Sequence, residues 1–246
     1  MHSITKFLLT VGSILGCVVF VTAVHIPGVA PLICPWCFGF ERLEPGVYIE
    51  KSTSETARQT TKASLHRSKL AVERYFGALQ SDPAVFVCRT DICYARAEQR
   101  GGRTVGISFL DWVIVLSPRA NSDMAFTHEL AHTELHNRLG PLMFNVPTWF
   151  DEGLAVNVSD DPRYLAPAGS KTRCIVAPPK LMPANGAAWV SATEDTNTPY
   201  AEAACLVSIW LERQRSMGAV PQLISEIKAG IPFDRAYARL SPAGGP

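Results

Sequence analysis

The sequence lacks any excess of charge of one sign. Its 246 residues carry 23 Lys and Arg against 22 Asp and Glu, which gives a formal net charge of +1. No block of basic residues of the kind that binds nucleic acid occurs, so we expect no nucleic-acid partner. Internal repeats and low-complexity tracts are also missing, and the composition is that of a globular protein. The length suffices for one ordinary domain and a targeting segment, but not for two large domains.

Charged residues are missing from a long stretch near the N-terminus. Between Lys6 and Glu41 there is no Asp, Glu, Lys or Arg. Residues 7–26 are the most apolar part. A helix over them, rising about 1.5 Å per residue, would cross a hydrocarbon core of about 30 Å. The alternative is a cleaved signal peptide, because residues 21–23 are small enough for a signal peptidase. The length of the run favours a membrane anchor. Both interpretations export the rest of the chain to the periplasm or the extracellular space.

Cysteine usage also favours export. Of seven cysteines, Cys17 lies within the apolar segment and the other six are an even number. Six cysteines in an exported protein indicate up to three disulfides, since an oxidising compartment preserves such bridges. Closeness in the sequence predicts that the pairs are Cys34–Cys37, Cys88–Cys93 and Cys174–Cys205.

The order of the predicted elements favours an α+β fold. β-branched and aromatic runs predict strands at residues 46–50, 84–88, 105–109 and 112–116. Apolar periodicity and capping signals predict helices at residues 52–79, 124–139 (after a cap within 121–123), 147–158, 199–217, 221–229 and 232–240. Residues 159–198 show no clear pattern, and a connection of that length is often functional. We expect a signal peptide or anchor at 1–30, a juxtamembrane linker at 31–50 and one domain at 51–246.

The motif that carries chemistry is His128-Glu129-Leu130-Ala131-His132. Histidines four positions apart on a helix differ by about 40° in angle and about 6 Å in rise, so both imidazoles can bind one metal ion. Glu129 is placed to act on a metal-bound water, whose pKa Zn²⁺ lowers toward about 7, and thus to serve as general base. The alternative is a pair of solvent-facing histidines. The apolar residues around the motif argue against it, because they indicate a buried helix.

A third ligand is predicted on the next helix. Metzincins need a Gly and a further His after the motif, where this chain has Leu135 and Arg138. Residues 147–155 instead read Pro-Thr-Trp-Phe-Asp-Glu-Gly-Leu-Ala. HELAH followed by this segment resembles the gluzincin zinc metallopeptidases, in particular M1-aminopeptidase-like (peptidase MA-like) domains. The resemblance implies that Glu152 is the third zinc ligand and that a fourth position stays open for water. The spacing between the two motifs is one residue longer than in typical M1 enzymes, and the intervening loop can absorb the difference.

The resemblance implies further features of residues 51–246. They would form a zincin-like metallopeptidase domain with a small mixed sheet, the HExxH helix and C-terminal helices. M1-like enzymes stabilise the oxyanion with a tyrosine downstream of the glutamate. Tyr200 is the best match and Tyr164 a weaker one, and a packing role for Tyr200 stays open. Asp151 either orients a zinc-bound histidine or lies at the surface, and His136 is interpreted as a surface or outer hydrogen-bonding group.

The likeness is incomplete where M1 aminopeptidases hold the substrate's amine. Their Gly-x-Met-Glu-Asn segment does not precede HELAH here, so an endopeptidase is favoured over an aminopeptidase. Residues 112–116 are then expected to be an edge strand that pairs with an extended peptide. Residues 159–198 are expected to form a wall or lid of the cleft. The predicted activity is zinc-dependent hydrolysis of a peptide or protein substrate.

Other classes of function are also considered. A non-catalytic zinc-binding protein with the gluzincin fold would act as a binding module. A thiol-disulfide protein built on Cys34-Pro35-Trp36-Cys37 is disfavoured, because no βαβ pattern surrounds the motif. Replacement of Glu129 by Gln separates the first alternative from a peptidase, since only the peptidase needs that carboxylate for turnover.

Overall fold

The computed structural model describes residues 28–98, 104–120, 122–214 and 218–240. The apolar segment at 7–26, and with it the choice between anchor and signal peptide, lies outside these residues. Within the described ranges no helix is both long and apolar enough to cross a bilayer.

The chain is a mixed α+β protein around one five-stranded sheet. The strands are β1 (Phe40–Glu44), β2 (Val47–Glu50), β3 (Ala84–Val87), β4 (Gly106–Phe109) and β5 (Val113–Leu116), in the spatial order β1-β2-β3-β5-β4. The central strands β2, β3 and β5 are parallel, and the two outer pairs, β1–β2 and β4–β5, are antiparallel.

The expectation that residues 112–116 form an edge strand is wrong. β5 lies inside the sheet between β3 and β4, and β4 is the edge. All four residues of β5 are buried, from Val113 to Leu116. A strand that is apolar on both faces is typical of a sheet interior, where helices cover each side. β4 is only half-buried and has one strand neighbour.

Nine α-helices surround the sheet within the described residues. They are α1 (Val29–Ile33), α2 (Glu55–Phe76), α3 (Asp91–Glu98), α4 (Asp123–Leu139), α5 (Thr148–Ser159), α6 (Gly186–Thr193), α7 (Thr198–Gln214), α8 (Ala219–Lys228) and α9 (Phe233–Arg239), and short 3₁₀ helices lie at Pro35–Phe38 and Gly140–Asn145. The predicted helices correspond to α2, α4, α5, α7, α8 and α9. Helices α1, α3 and α6 were not predicted, and α6 interrupts the segment expected to be irregular.

The expectation of a linker over residues 31–50 is also wrong. This segment completes α1, contains a 3₁₀ helix and supplies both β1 and β2. Phe40 and Ile49 are 1% and 0% exposed, so the segment is part of the core. Pairing with β1 and β3 holds β2 in the sheet, and its residues alternate between buried and half-buried. The sequence predicts only this second strand of the segment.

The sheet separates two apolar clusters of unequal size. Alternate residues of the central strands, such as Val85 and Ile114, face a large cluster formed with α2, α4, α5, α7, α8 and α9. Their neighbours Phe86 and Val115 face a smaller cluster formed with α3. Period-two alternation with helices on both faces is why the central strands are apolar throughout. Helices α4 and α5, which carry the two motifs, belong to the larger layer.

Two contacts fix the position of α5 against α7. Gly153 lies so close to α7 that a Cβ atom there would stand 2.6 Å from the carbonyl oxygen of Ala203. Asn157, one turn further on, donates from Nδ2 to the carbonyl oxygens of Gly153 at 2.7 Å and of Ala204 at 2.9 Å. The Gly153 position therefore permits a close helix approach, and Asn157 closes it with hydrogen bonds.

The disulfide pairings are confirmed. Bridges join Cys34 to Cys37, Cys88 to Cys93 and Cys174 to Cys205. Three disulfides in one small domain indicate an oxidising compartment. The third bridge ties the segment before α6 to the buried face of α7.

Candidate metal centre

Helix α4 places two histidines of the HELAH motif side by side. It packs against the sheet edge β4 on one side and against α5 on the other. The Nε2 atoms of His128 and His132 are 3.1 Å apart. Both side chains are mostly buried, at 19% and 9% exposure, so their positions are set by packing.

Helix α5 brings a carboxylate to the same point. Oε2 of Glu152 lies 3.4 Å from Nε2 of His128 and 3.6 Å from Nε2 of His132. Tetrahedral Zn²⁺ with ligands at about 2.0–2.1 Å requires ligand atoms about 3.3–3.4 Å apart. The three separations of 3.1, 3.4 and 3.6 Å bracket that value. These residues therefore fit a divalent cation held by three protein ligands, and the donor set alone does not identify which cation.

Asp151, the neighbour of Glu152, contacts His132 on the side of the ring that faces away from His128, and it also contacts His136. Its Oδ1 lies 2.6 Å from Nδ1 of His132, and its Oδ2 lies 2.7 Å from Nε2 of His136. His132, His136 and Asp151 are also close enough to be considered a metal-holding group. Separations of 2.6–2.7 Å are hydrogen-bond lengths, however, and are shorter than the edges of a zinc tetrahedron. We therefore interpret this second group as a hydrogen-bonded support for His132.

Opposite charges dominate the electrostatics of the cluster. Burial alone would raise the pKa of Asp151, but His132 and His136 lower it far below its usual range. Burial likewise opposes ionisation of Glu152, yet His132 and His128 lower its pKa to about 2. Burial would lower the pKa of His132, but Asp151 and Glu152 raise it well above the ordinary value. Without a cation, the two carboxylates thus favour the protonated imidazole.

Glu129 lies beneath the edge strand β4. Its side chain is 8% exposed, and burial raises the pKa of its carboxyl group. A Cβ atom at Gly106 would stand 2.9 Å from Oε1 of Glu129, so β4 approaches this carboxylate more closely than a residue with a side chain would allow. Ser108 on the same strand forms a side-chain hydrogen bond with Glu129. The carboxylate is therefore held between α4 and β4.

Tyr200, in the first turn of α7, lines the same cavity as the two histidines, Glu129 and Glu152. Its ring stacks on Tyr164 with a centroid distance of 5.3 Å and meets Trp189 edge-on at 5.1 Å. Burial raises the pKa of its phenol, and the nearby carboxylate of Glu152 adds to the effect. The hydroxyl therefore remains protonated at neutral pH and can donate a hydrogen bond into the cavity.

Two adjoining cavities open at the cluster. The first cavity, which contains the candidate ligands, runs along β4 from Gly106 to Phe109. The second cavity, of about 250 Å³, shares Gly106, His128, Glu129 and Tyr200 with the first and extends to Asp161, Arg163 and Tyr164. Residues 161–164 thus form a wall of the cleft, as was expected of the 159–198 segment. No sequence pattern pointed to Arg163 or Asp161. The glycine at position 106, within a predicted strand, does indicate that another group approaches the backbone there, since a strand glycine often marks such a close contact.

Comparison with known proteins does not assign the chain to a family. No protein-family model, no curated protein and no solved structure matches it. The candidate site is therefore described by its own geometry. His128, His132 and Glu152 converge, Glu129 and Tyr200 border the same cavity, and Asp151 supports His132.

Proposed function

We propose that this chain is a zinc-dependent peptidase of the gluzincin type, with an M1-aminopeptidase-like (peptidase MA-like) domain. The observation that carries the proposal is the triangle of ligand atoms from His128, His132 and Glu152, with sides of 3.1, 3.4 and 3.6 Å. Two imidazoles and one carboxylate are the ligand set of a catalytic zinc site, because they leave a fourth position open. A structural zinc site would close that position with a further protein ligand.

The chain's own residues can perform the proton transfers of peptide hydrolysis. A bound divalent cation supplies Lewis acidity, which makes water acidic near neutral pH and polarises a carbonyl. Glu129 takes the proton of the attacking water, and its raised pKa suits it to pass that proton to the leaving amine nitrogen. Tyr200 donates a hydrogen bond from its hydroxyl group to the former carbonyl oxygen of the substrate as negative charge develops there. Asp151 holds His132 in place throughout.

The sheet edge beside the site fits an extended peptide. β4 pairs with β5 on one side, and residues Gly106 to Phe109 line the cavity that contains the candidate ligands. No strand of the described residues pairs with the outer side of β4, so a peptide added there as a strand would pair with its backbone groups and pass over Glu129. Because such a cleft accepts the middle of a chain, we propose an endopeptidase rather than an aminopeptidase. The peptide-binding strand is β4, not the strand at 112–116 that the sequence indicated.

The proposed place of action follows from the disulfides. Three bridges favour an oxidising compartment, which for an exported protein is the periplasm or the extracellular space. We propose that residues 7–26 serve as the export signal or membrane anchor of this domain, since they are apolar and uncharged.

A non-catalytic zinc-binding module is the second candidate function. The support of His132 by Asp151 would serve metal binding alone equally well. The burial of Glu129 against Gly106 and Ser108 favours catalysis, because a carboxylate held beside the ligands without binding the cation is needed only for proton transfer. Replacement of the Glu129 carboxylate should therefore abolish the activity of a peptidase but leave the binding of a zinc module unchanged.

The test uses the full-length, zinc-loaded protein and a library of internally quenched peptides blocked at both ends. We expect cleavage that a chelator abolishes and that added Zn²⁺ restores. Glu129→Gln should lower kcat by about 10²–10⁴-fold while one zinc per chain is retained. Glu73→Gln on α2, which lines neither cavity, is the matched control and should leave kcat unchanged. Zinc binding with no cleavage of any blocked or free peptide would instead support the binding module.

A further inference from the structure

One cation faces the cleft beside the candidate metal centre. Arg163 lines the cavity that also contains His128 and Glu129. Among the described residues around this cavity and the adjoining one, it is the only Lys or Arg. Its side chain is 51% exposed, so the guanidinium is open to molecules that enter the cleft.

The guanidinium is oriented by a buried carboxylate. Asp161, 1% exposed, accepts hydrogen bonds from Nε of Arg163 at 3.0 Å and from its Nη2 at 2.6 Å. The same carboxylate accepts the backbone N–H of Arg163 at 2.9 Å. The Nη1 group donates no hydrogen bond to any residue that the structure describes. One edge of the fork is therefore fixed, and the other is available to a ligand.

The surrounding residues hold this arginine at the cleft. Its Cζ lies 5.1 Å from the centroid of the Tyr164 ring, which in turn stacks on Tyr200. The turn is closed by backbone bonds from Tyr164 and Leu165 to the carbonyl oxygen of Asp161. Leu165 also bridges to Cys174, whose disulfide to Cys205 ties the segment to α7. The guanidinium is thus a fixed part of the wall that also presents Tyr200.

The turn at Asp161 would be stable without the guanidinium of Arg163, because bonds to the backbone and to the Asp161 side chain already form it. The backbone of Asp161 makes the turn, and its side chain already caps the Arg163 amide. The added feature is a pre-oriented, half-exposed fork of N–H donors beside the buried Asp161 carboxylate, whose hydrogen bonds raise the pKa of the guanidinium further. Such forks select planar anions with two acceptor oxygens, and in a peptide that anion is a carboxylate.

We propose that Arg163 forms a carboxylate-binding subsite, so that the preferred substrate carries a carboxylate close to the scissile bond. This inference rests on the proposed peptidase function and names its substrate class. Two parts of a peptide supply that chemistry, namely an Asp or Glu side chain and a free C-terminal carboxylate. Both would accept hydrogen bonds from the open edge of the guanidinium.

The test compares four peptides built on one cleavable sequence, assayed with the zinc-loaded full-length protein. One peptide has Glu near the scissile bond and one has Gln there, and each is made as a C-terminal acid and a C-terminal amide. We expect the wild-type protein to favour a carboxylate form by about 10- to 100-fold in kcat/KM, as a charge-assisted pair warrants. A Glu-over-Gln preference assigns the side-chain carboxylate, and an acid-over-amide preference assigns the C-terminus.

Arg163→Gln should abolish that preference, so that the ratio of kcat/KM between the carboxylate peptides and the neutral amide peptide falls to about one. Arg173→Gln is the matched control, because it removes another Arg–Asp pair from the same segment and lines neither cavity. Arg163→Lys keeps the charge but loses the fork, so it should restore only part of the preference. If the wild-type protein cleaves all four peptides equally, the subsite is refuted while the peptidase function stands.

A measurement of peptide binding tests the carboxylate subsite separately from the proposed peptidase function. Labelled peptides are titrated into the zinc-loaded Glu129→Gln protein with and without Arg163→Gln, and fluorescence anisotropy is read. Binding of the carboxylate peptides that weakens about tenfold on loss of Arg163 supports the subsite even if no peptide is ever cleaved. Equal binding of acidic and neutral peptides would overturn it. Thermal unfolding of each variant shows that the fold is retained.

Discussion

Asp151 lies 2.6 Å from Nδ1 of His132, on the side of the imidazole opposite the Nε2 atom that faces His128. The pairing leaves Nε2 free to bind a cation and makes the ring a stronger ligand. The other oxygen of Asp151 is occupied by His136, at 2.7 Å. A carboxylate that accepts from two imidazoles is held in one orientation, and so is the ligand that it supports.

We predict that Asp151→Asn weakens zinc binding by about 10- to 100-fold, because an amide offers one acceptor where the carboxylate offers two. A competition titration against a chromophoric chelator measures the dissociation constant. Asp160→Asn, at the exposed end of α5, is the control and should bind zinc as the wild-type protein does. Equal affinity of Asp151→Asn and the wild-type protein would show that Asp151 has no supporting role.

Zinc affinity should rise with pH. Burial alone would lower the pKa of His132, but Asp151 and Glu152 outweigh burial and raise this pKa above 6.5. Below the raised pKa a proton occupies the imidazole and must leave before the cation binds, so apparent affinity should grow about tenfold per pH unit. Repeating the titration across neutral pH measures the slope, and Asp151→Asn should move the rise to lower pH. An affinity that does not change with pH would contradict the proposed ligand.

The metal-free protein should show two opposite pH dependences. The raised pKa of His132 stabilises the fold fully below 6.5, and this contribution is lost as pH rises through the raised value. The lowered pKa of Glu152 stabilises the fold above 4.5, and this contribution is lost as pH falls toward about 2. Urea unfolding of the chelated protein over this range should therefore show greatest stability in the mildly acidic region.

Tyr200→Phe should lower kcat by about 10²–10³-fold, as loss of one oxyanion donor does elsewhere. The phenyl ring keeps its ring contacts with Tyr164 and Trp189, so zinc content should not change, whereas loss of the hydrogen bond between Trp189 and the hydroxyl should lower thermal stability. Steady-state kinetics on a quenched peptide separate kcat from KM. Tyr164→Phe is the control with an equally conservative change. If Tyr164→Phe lost turnover and Tyr200→Phe did not, the donor role would belong to Tyr164.

Gly153→Ala should destabilise the fold by about 1–3 kcal/mol, because a methyl group there meets the backbone of α7. The nearest atom, the carbonyl oxygen of Ala203, would lie 2.6 Å from the added Cβ. Urea unfolding measures the change. Gly186→Ala is the control, since its nearest neighbour would be Thr148 Oγ1 at an ordinary 3.6 Å. Two variants of equal stability would show that α5 and α7 are not held at the distance described.

The sequence is informative about the candidate ligands because their arrangement is mostly local. A spacing of four on one helix puts His128 and His132 together wherever that helix packs. Glu152 is on the next helix, and a short connection makes neighbouring helices adjacent. The structure brings these three residues together as the motifs indicated. For Asp151 the sequence does not decide between support of a ligand and a surface position, because the direction of its side chain depends on where His132 and His136 lie.

Features set by long-range pairing could not be read from the sequence. Strand order decides that β4 rather than β5 is the sheet edge, and order depends on which strands pair across the whole chain. Helix α3 has little apolar periodicity, and the Cys88–Cys93 bridge joins it to the end of β3. Arg163 belongs to no motif, and it reaches the cleft through a turn that a disulfide ties to α7.

The most direct measurement is crystallography of the zinc-loaded, full-length protein with data collected at the zinc absorption edge. The account predicts one anomalous peak per chain, with Nε2 of His128, Nε2 of His132 and a carboxylate oxygen of Glu152 at about 2.0–2.2 Å and one further position held by water. A peak between His136 and Asp151, or none within reach of Glu152, would contradict the account.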